Sequence, residues 1–168
     1  MEKRIVARKI TTNLWFDTQA EEAVNFYLSV FKNSRTGRVT HYGKGGQEIH
    51  GMAEGTVMTL EFELEGEAFV ALNGGPHYKF NEAISFIVNC ENQQELDYYW
   101  EALAAGGDEK AQISGWLKDK FGVSWQVVPT ALFDMLQDKD TAKTSNMMAA
   151  LMKMKKLDIR TLQEAYEK

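Results

Sequence analysis

At 168 residues, with 44% hydrophobic and 26% charged side chains, the chain is long enough for one well-buried core and has a globular composition. A formal charge of −5 argues against a nucleic-acid partner, because phosphate binding needs a basic surface that releases counterions. The single cysteine, Cys90, excludes an internal disulfide and a thiolate metal cluster, and no apolar run suits a signal peptide or approaches the ~20 residues of a membrane span, so the expectation is a cytoplasmic protein with no membrane partner.

Arg8 to Phe16 predicts a strand with Ile10, Thr12, Leu14 and Phe16 on one face and Thr11, Asn13 and Trp15 on the other. Thr18 followed by Glu21 forms a capping box, and Ala23, Phe26, Tyr27, Val30 and Phe31 make one helical stripe. Strands are expected at Thr36 to Tyr42, Thr56 to Glu63 and Glu67 to Asn73, with turns at Gly43–Gly46 and Gly66 and a break at Gly74-Gly75-Pro76. The pattern then restarts: a strand from Glu82 to Asn89, a cap at Asn92 with Glu95, and a stripe of Leu96, Tyr99, Trp100 and Leu103 stopped by Gly106-Gly107. Ala111 to Trp116 and Val123 to Val128 read as strands, and the tail after Pro129 reads as helical. Short basic clusters (Lys3, Arg4, Arg8 and Lys9; Lys153, Lys155 and Lys156) read as solvated surface.

Sliding the sequence by 73 residues pairs Glu22 with Glu95, Phe26 with Tyr99, Tyr27 with Trp100 and Val30 with Leu103. The last three pairs lie on the buried stripe, and the order of elements repeats, so an internal duplication explains the pattern better than shared amphipathicity. The expected fold is α+β: one domain over 1–168 made of modules at about 5–75 and 80–129, followed by a helical tail over 130–168.

Several stretches carry a family resemblance. They are Leu14-Trp15-Phe16-Asp17, Ala20-Glu21-Glu22-Ala23, Leu72-Asn73-Gly74-Gly75-Pro76, Phe80 to Phe86, Gly115-Trp116-Leu117, Asp119-Lys120-Phe121-Gly122 and Ser124 to Pro129. With the repeated order of elements they resemble the PhnB-like branch of the vicinal oxygen chelate superfamily, often labelled 3-demethylubiquinone-9 3-methyltransferase-like. The resemblance implies two βαβββ modules with curled mixed sheets that form a cup, a homodimer, and a small-molecule ligand.

Metal-dependent members of that superfamily hold a divalent ion with His, Gln or Glu side chains at the cup floor. The matching positions here fall near Thr11, Ala71 (or Asn73), Ala83 (or Ser85) and Gln126, none of which is His, Asp or Glu. Such side chains supply neither the charge nor the basicity of a catalytic ion site, so no metal and no other cofactor is expected. His41, His50 and His77 match no zinc spacing. The turn Gly43-Lys44-Gly45-Gly46 precedes no helix and reads as a hairpin, not as a nucleotide-binding loop. Cys90 reads as a neighbour of a helix cap.

By alternation, Asn13, Trp15, Asn73, Ser85, Ser124 and Gln126 line the cup, with Trp116 at its rim. Amides and hydroxyls beside aromatic surface suit ligand binding better than catalysis, because amides are not general bases near neutral pH. Two functional classes follow. One is a protein that binds a small molecule in a metal-free cup. The other is an enzyme, such as the methyltransferase of the family label, for which His41, His50 and Glu61 are the titratable candidates. Glu61 reaches the cup only if its strand buries Leu60 and Phe62.

Overall fold

The computed structural model describes Ile5 and residues 9–168, so Lys3, Arg4 and Arg8, with the start of the first expected strand, lie outside the described residues. The chain forms two compact units, Met1–Phe80 and Asn81–Lys168.

The first unit runs β1 (Thr12–Phe16), α1 (Ala20–Val30), β2 (Ser34–His41), a one-turn α2 (Gln47–His50), β3 (Val57–Leu64) and β4 (Glu67–Asn73). Its sheet has the order β1-β4-β3-β2, with β1 parallel to β4 and the other pairs antiparallel. Period-2 alternation sorts the strands into two faces. Leu14, Phe16, Leu60, Phe62, Leu64, Phe69 and Ala71 are buried with the stripe Ala23, Val24, Tyr27 and Val30 of α1. This is the expected βαβββ module with one added helical turn between β2 and β3.

The start of α1 departs from expectation. Gln19, not Thr18, holds the N-cap position, and its own side chain makes no capping hydrogen bond. The Ala20 N–H instead donates to Asn73 Oδ1 at 2.8 Å, across 53 residues of sequence.

The second unit runs β5 (Phe86–Cys90), α3 (Gln93–Ala104), β6 (Trp116–Lys118), β7 (Ser124–Pro129), α4 (Ala131–Leu136), α5 (Thr141–Leu151) and α6 (Ile159–Tyr166). Its sheet has the order β5-β7-β6, with β5 parallel to β7. The second module is therefore βαββ, one strand short of the expected βαβββ. Where Ala111 to Trp116 reads as a strand, the chain makes a 3₁₀ turn at Glu109–Ala111 and a lone bridge between Ile113 and Trp116. The reason is local: Asp108 caps the turn by accepting from Lys110 N–H, and Ile113 and Trp116 use their backbone groups on each other. The N–H groups of Ser114 and Gly115 go to the carbonyls of Met154 and Lys155 in the tail. No ladder of free groups remains to build an edge strand.

The two units share a pairing pattern at the end of their parallel strands. Phe16 pairs with Asn73 and accepts from Gly74 N–H; Cys90 pairs with Pro129 and accepts from Thr130 N–H. The tail packs on the second unit through Met147, Leu151, Leu157 and Leu162, all buried. Gln93 of α3 ties it down, donating to the Leu157 carbonyl and accepting from Ile159 N–H. Among the described residues, no helix is long and apolar enough to cross a membrane.

Candidate functional site on the open face of the second sheet

Alternation in β5, β6 and β7 turns Val88, Cys90, Leu117, Trp125 and Val127 into the buried layer with Leu96, Tyr99, Trp100 and Leu103 of α3. Trp116, Lys118, Ser124 and Gln126 consequently share the opposite, open face. The phase of β7 is fixed by the turn before it. Asp119, buried, accepts from Phe121 N–H (2.9 Å), Val123 N–H (3.0 Å) and the Trp125 indole N–H (2.9 Å). Three donors on one carboxylate pin both the turn and the first inward ring of β7.

On this face Gln126 Nε2 donates to Ser85 Oγ at 2.9 Å. Beside them lies a cavity of about 370 Å³ lined by Glu82, Ala111, Ile113, Trp116, Leu117, Lys118 and Ser124. Its walls are mainly apolar. Lys118 Nζ forms an ion pair with Glu82, which holds the Glu82 carboxyl below the usual range chiefly through that hydrogen bond. Ser124 is 2% exposed, and its Oγ has no hydrogen-bond partner among the described residues. A buried hydroxyl in that state costs about 1–3 kcal/mol, which a polar group entering the cavity would relieve.

Gln126 thus meets Ser85, while Trp116 and Ser124 line the cavity on the same face of the sheet. Asn13 and Trp15 lie on the open face of the first unit's sheet, opposite Val70 and Leu72 in register. Asn13 is exposed, whereas Trp15 is engaged: its indole N–H donates to the Gly75 carbonyl (2.9 Å), and Tyr78 meets its ring edge-on. Asn73 is a correction. It has the parity of Phe69 and Ala71, is 1% exposed, and turns toward α1 instead of the open face. Its side chain accepts from Ala20 N–H and donates to Glu21 Oε2 (2.9 Å) and the Val57 carbonyl (3.0 Å). The uncapped helix start claims it.

Leu60 and Phe62 are buried, so Glu61 stands on the open face of the first sheet. There it pairs with Arg38, whose hydrogen bonds hold its carboxyl below the ordinary range. His41 is exposed at the end of β2. His50 lies against the Tyr42 ring, and its Nδ1 accepts from Met52 N–H. Burial pushes the Cys90 thiol up to about 12, which leaves it a poor nucleophile. Lys118 and Glu82 are site residues that composition alone reads as solvated surface; the signal available was that Lys118 follows Trp116 by two along one strand.

The residues present do not fit a catalytic divalent ion. Pairing registers place Val70, not Ala71 or Asn73, at the position equivalent to Gln126. With Thr11 and Ser85 this gives hydroxyl, alkyl and amide groups, which lack the charge a resident ion needs. Among the described residues, no three of His, Cys, Asp and Glu come together as a candidate ligand set. The Gly43–Gly46 turn leads into the one-turn α2 between two antiparallel strands, not into the helix of a parallel crossover, so it does not form a nucleotide-binding loop.

The model of the family described as 3-demethylubiquinone-9 3-methyltransferase matches residues 8–128. No curated protein matches the chain. Among solved structures, the PhnB protein from Bacillus cereus is 34% identical over 73% of this chain and 100% of its own, with a TM-score of 0.63. Protein PA1353 from Pseudomonas aeruginosa shares the fold at 20% identity, covering 73% of this chain and 98% of its own, with a TM-score of 0.58. A glyoxylase/bleomycin resistance protein/dioxygenase domain from Frankia sp. matches at 14% identity over 73% of this chain and 92% of its own, with a TM-score of 0.42. With the family match spanning most of the chain and the PhnB protein of Bacillus aligned over its whole length, this chain belongs to the 3-demethylubiquinone-9 3-methyltransferase family and is PhnB-like.

Proposed function

We propose that the protein binds a small organic molecule, without a metal ion, on the open face of the second unit's sheet. The observation that carries this is the cavity of about 370 Å³ with Trp116 on its wall and the unsatisfied Ser124 Oγ within its lining. That volume lies at the small end of the ~300–1,000 Å³ typical of ligand sites, and apolar walls with a few polar groups are their usual make-up. Ser85 and Gln126 extend the polar edge of the same face. Among the described residues lining the cavity, the titratable ones are Glu82 and Lys118, and they pair with each other. This favours binding over acid–base catalysis. Nothing in the geometry favours the methyl transfer in the family's description over this reading.

The test is a thermal-shift and NMR screen of small organic molecules, repeated in a chelator. Saturable binding that Trp116→Ala abolishes and the chelator leaves unchanged is the expected result. Binding that requires an added divalent ion, or that ignores Trp116→Ala, overturns the reading. The working form we propose is a cytoplasmic homodimer, as in the family resemblance. Light scattering giving the mass of one chain at micromolar concentration would remove the dimer.

A further inference from the structure

We infer that the ligand of this cavity is a flat organic anion of one or two rings, a monocarboxylate in the simplest case, whose charge displaces Glu82 from Lys118. The inference rests on the binding reading above and narrows it to a chemical class.

The two members of the ion pair are not equivalent. Lys118 stands on β6, paired in register with Ser124 of β7, and its side chain is 24% exposed. Glu82 sits in the turn before β5, next to the Asn81–Ala83 hydrogen bond, and its side chain is 61% exposed. An ion pair with one partner in solvent is heavily screened and weakly held. The ammonium is the fixed half and the carboxylate is the movable half. An incoming anion therefore meets a positioned cation and needs only to turn one exposed side chain aside.

A cation has no such route. Among the described residues of the lining Glu82 is the one acid, and a cation bound to it would lie against the Lys118 ammonium. A neutral ligand would leave the pair closed over the cavity. The rest of the lining agrees with a flat body. Trp116 offers an aromatic wall, Ile113, Leu117 and Ala111 offer apolar surface, and Ser124 contributes a hydroxyl whose rotamer can adjust without moving the backbone. Moving a carboxylate from water to an apolar-walled site beside an ammonium also strengthens their attraction, because the local dielectric falls. Glu82 thus acts as a built-in competitor that holds the ammonium until a ligand replaces it.

The experiment uses the full chain and three probes of one shape: benzoate, benzyl alcohol and benzylammonium. Shifts of the Trp116 indole signal, assigned with Trp116→Phe, report occupancy in NMR titrations. Benzoate binds saturably, about tenfold more tightly than benzyl alcohol, a gap of about 1.4 kcal/mol, and benzylammonium binds weakest. Glu82→Gln tightens benzoate about threefold by removing the competitor. Lys118→Met removes the preference for benzoate but keeps benzyl alcohol binding, and Lys118→Arg restores the preference. Benzyl alcohol or benzylammonium binding as tightly as benzoate, or Glu82→Gln weakening benzoate, overturns the anion inference and leaves the cavity reading standing. A folded protein that binds none of the three overturns both.

Discussion

Replacing Asn73 by alanine separates a helix-anchoring residue from a ligand contact. In the native protein its amide accepts from Ala20 N–H and donates to Glu21 Oε2 and the Val57 carbonyl, all from a side chain that is almost wholly buried. Truncation strands one helix-terminal donor and one strand carbonyl, each costing about 1–3 kcal/mol where water cannot reach. Allowing for partial solvent entry into the space left behind, the loss should be about 3 kcal/mol, or roughly 6–12 °C in Tm for a chain of this size. Urea unfolding followed by circular dichroism measures it. Asn73→Asp adds a sign test. The new carboxylate keeps the acceptor for Ala20 N–H but lies against Glu21, so it holds its proton in the folded state to higher pH than in the unfolded chain. A raised folded-state value makes the pH-dependent part of the variant's deficit absent below about pH 4, the unfolded value, and growing as pH rises toward neutrality; the one donor bond that a carboxyl cannot replace is lost at every pH. A loss under about 0.5 kcal/mol for Asn73→Ala, or a binding defect with unchanged stability, would refute the assignment.

Other substitutions test the frame around the site. Asp119→Ala strands three donors, including the Trp125 indole, and should cost about 3–5 kcal/mol in urea unfolding. A Cβ at Gly74 would fall within the Trp15 ring, so Gly74→Ala should cost about 1–3 kcal/mol and alter the near-ultraviolet circular dichroism as Trp15 leaves the Gly75 carbonyl. Cys90, with its thiol pushed up to about 12, should react with a disulfide reagent at pH 8 only as fast as the protein opens, so that modification follows the urea transition. Rapid reaction of the native protein would show the thiol to be accessible.

What was legible in the sequence was what is local in the chain. The stripe Leu96, Tyr99, Trp100 and Leu103 and the cap at Asn92, which accepts from Glu95 N–H at 3.0 Å, involve residues within three or four positions of each other and could be read directly. The cap of α1 could not, because its oxygen comes from the end of β4. The same bond bears on Asn73: the expectation from alternation places it on the open face, but it shares the parity of the buried Phe69 and Ala71 and turns toward α1. Ala111 to Trp116 has strand-like residues, but Asp108 and the Ile113–Trp116 bridge bend it into a turn, and that competition is decided by backbone partners the sequence does not display. Ser124 and Gln126 share a face because both lie within β7, where counting in twos holds.

The two copies of the module have diverged in a way that accounts for where the cavity lies. In the first, β2 completes the sheet, and its open face is closed by ion pairs between β2 and β3, Arg35 with Glu63 and Arg38 with Glu61. In the second, the equivalent edge strand is absent. The segment that would have formed it lays Ala111 and Ile113 along the cavity beside β6, and the tail takes up the leftover backbone donors. On the last strand, the positions equivalent to Ala68 and Val70 are Ser124 and Gln126, polar groups on the open face. Loss of one strand therefore supplies both the space and its apolar wall, while substitution on the neighbouring strand supplies the polar groups. The first copy carries a four-stranded sheet with a charged open face; the second carries a three-stranded sheet and a concave surface on which recognition can be built.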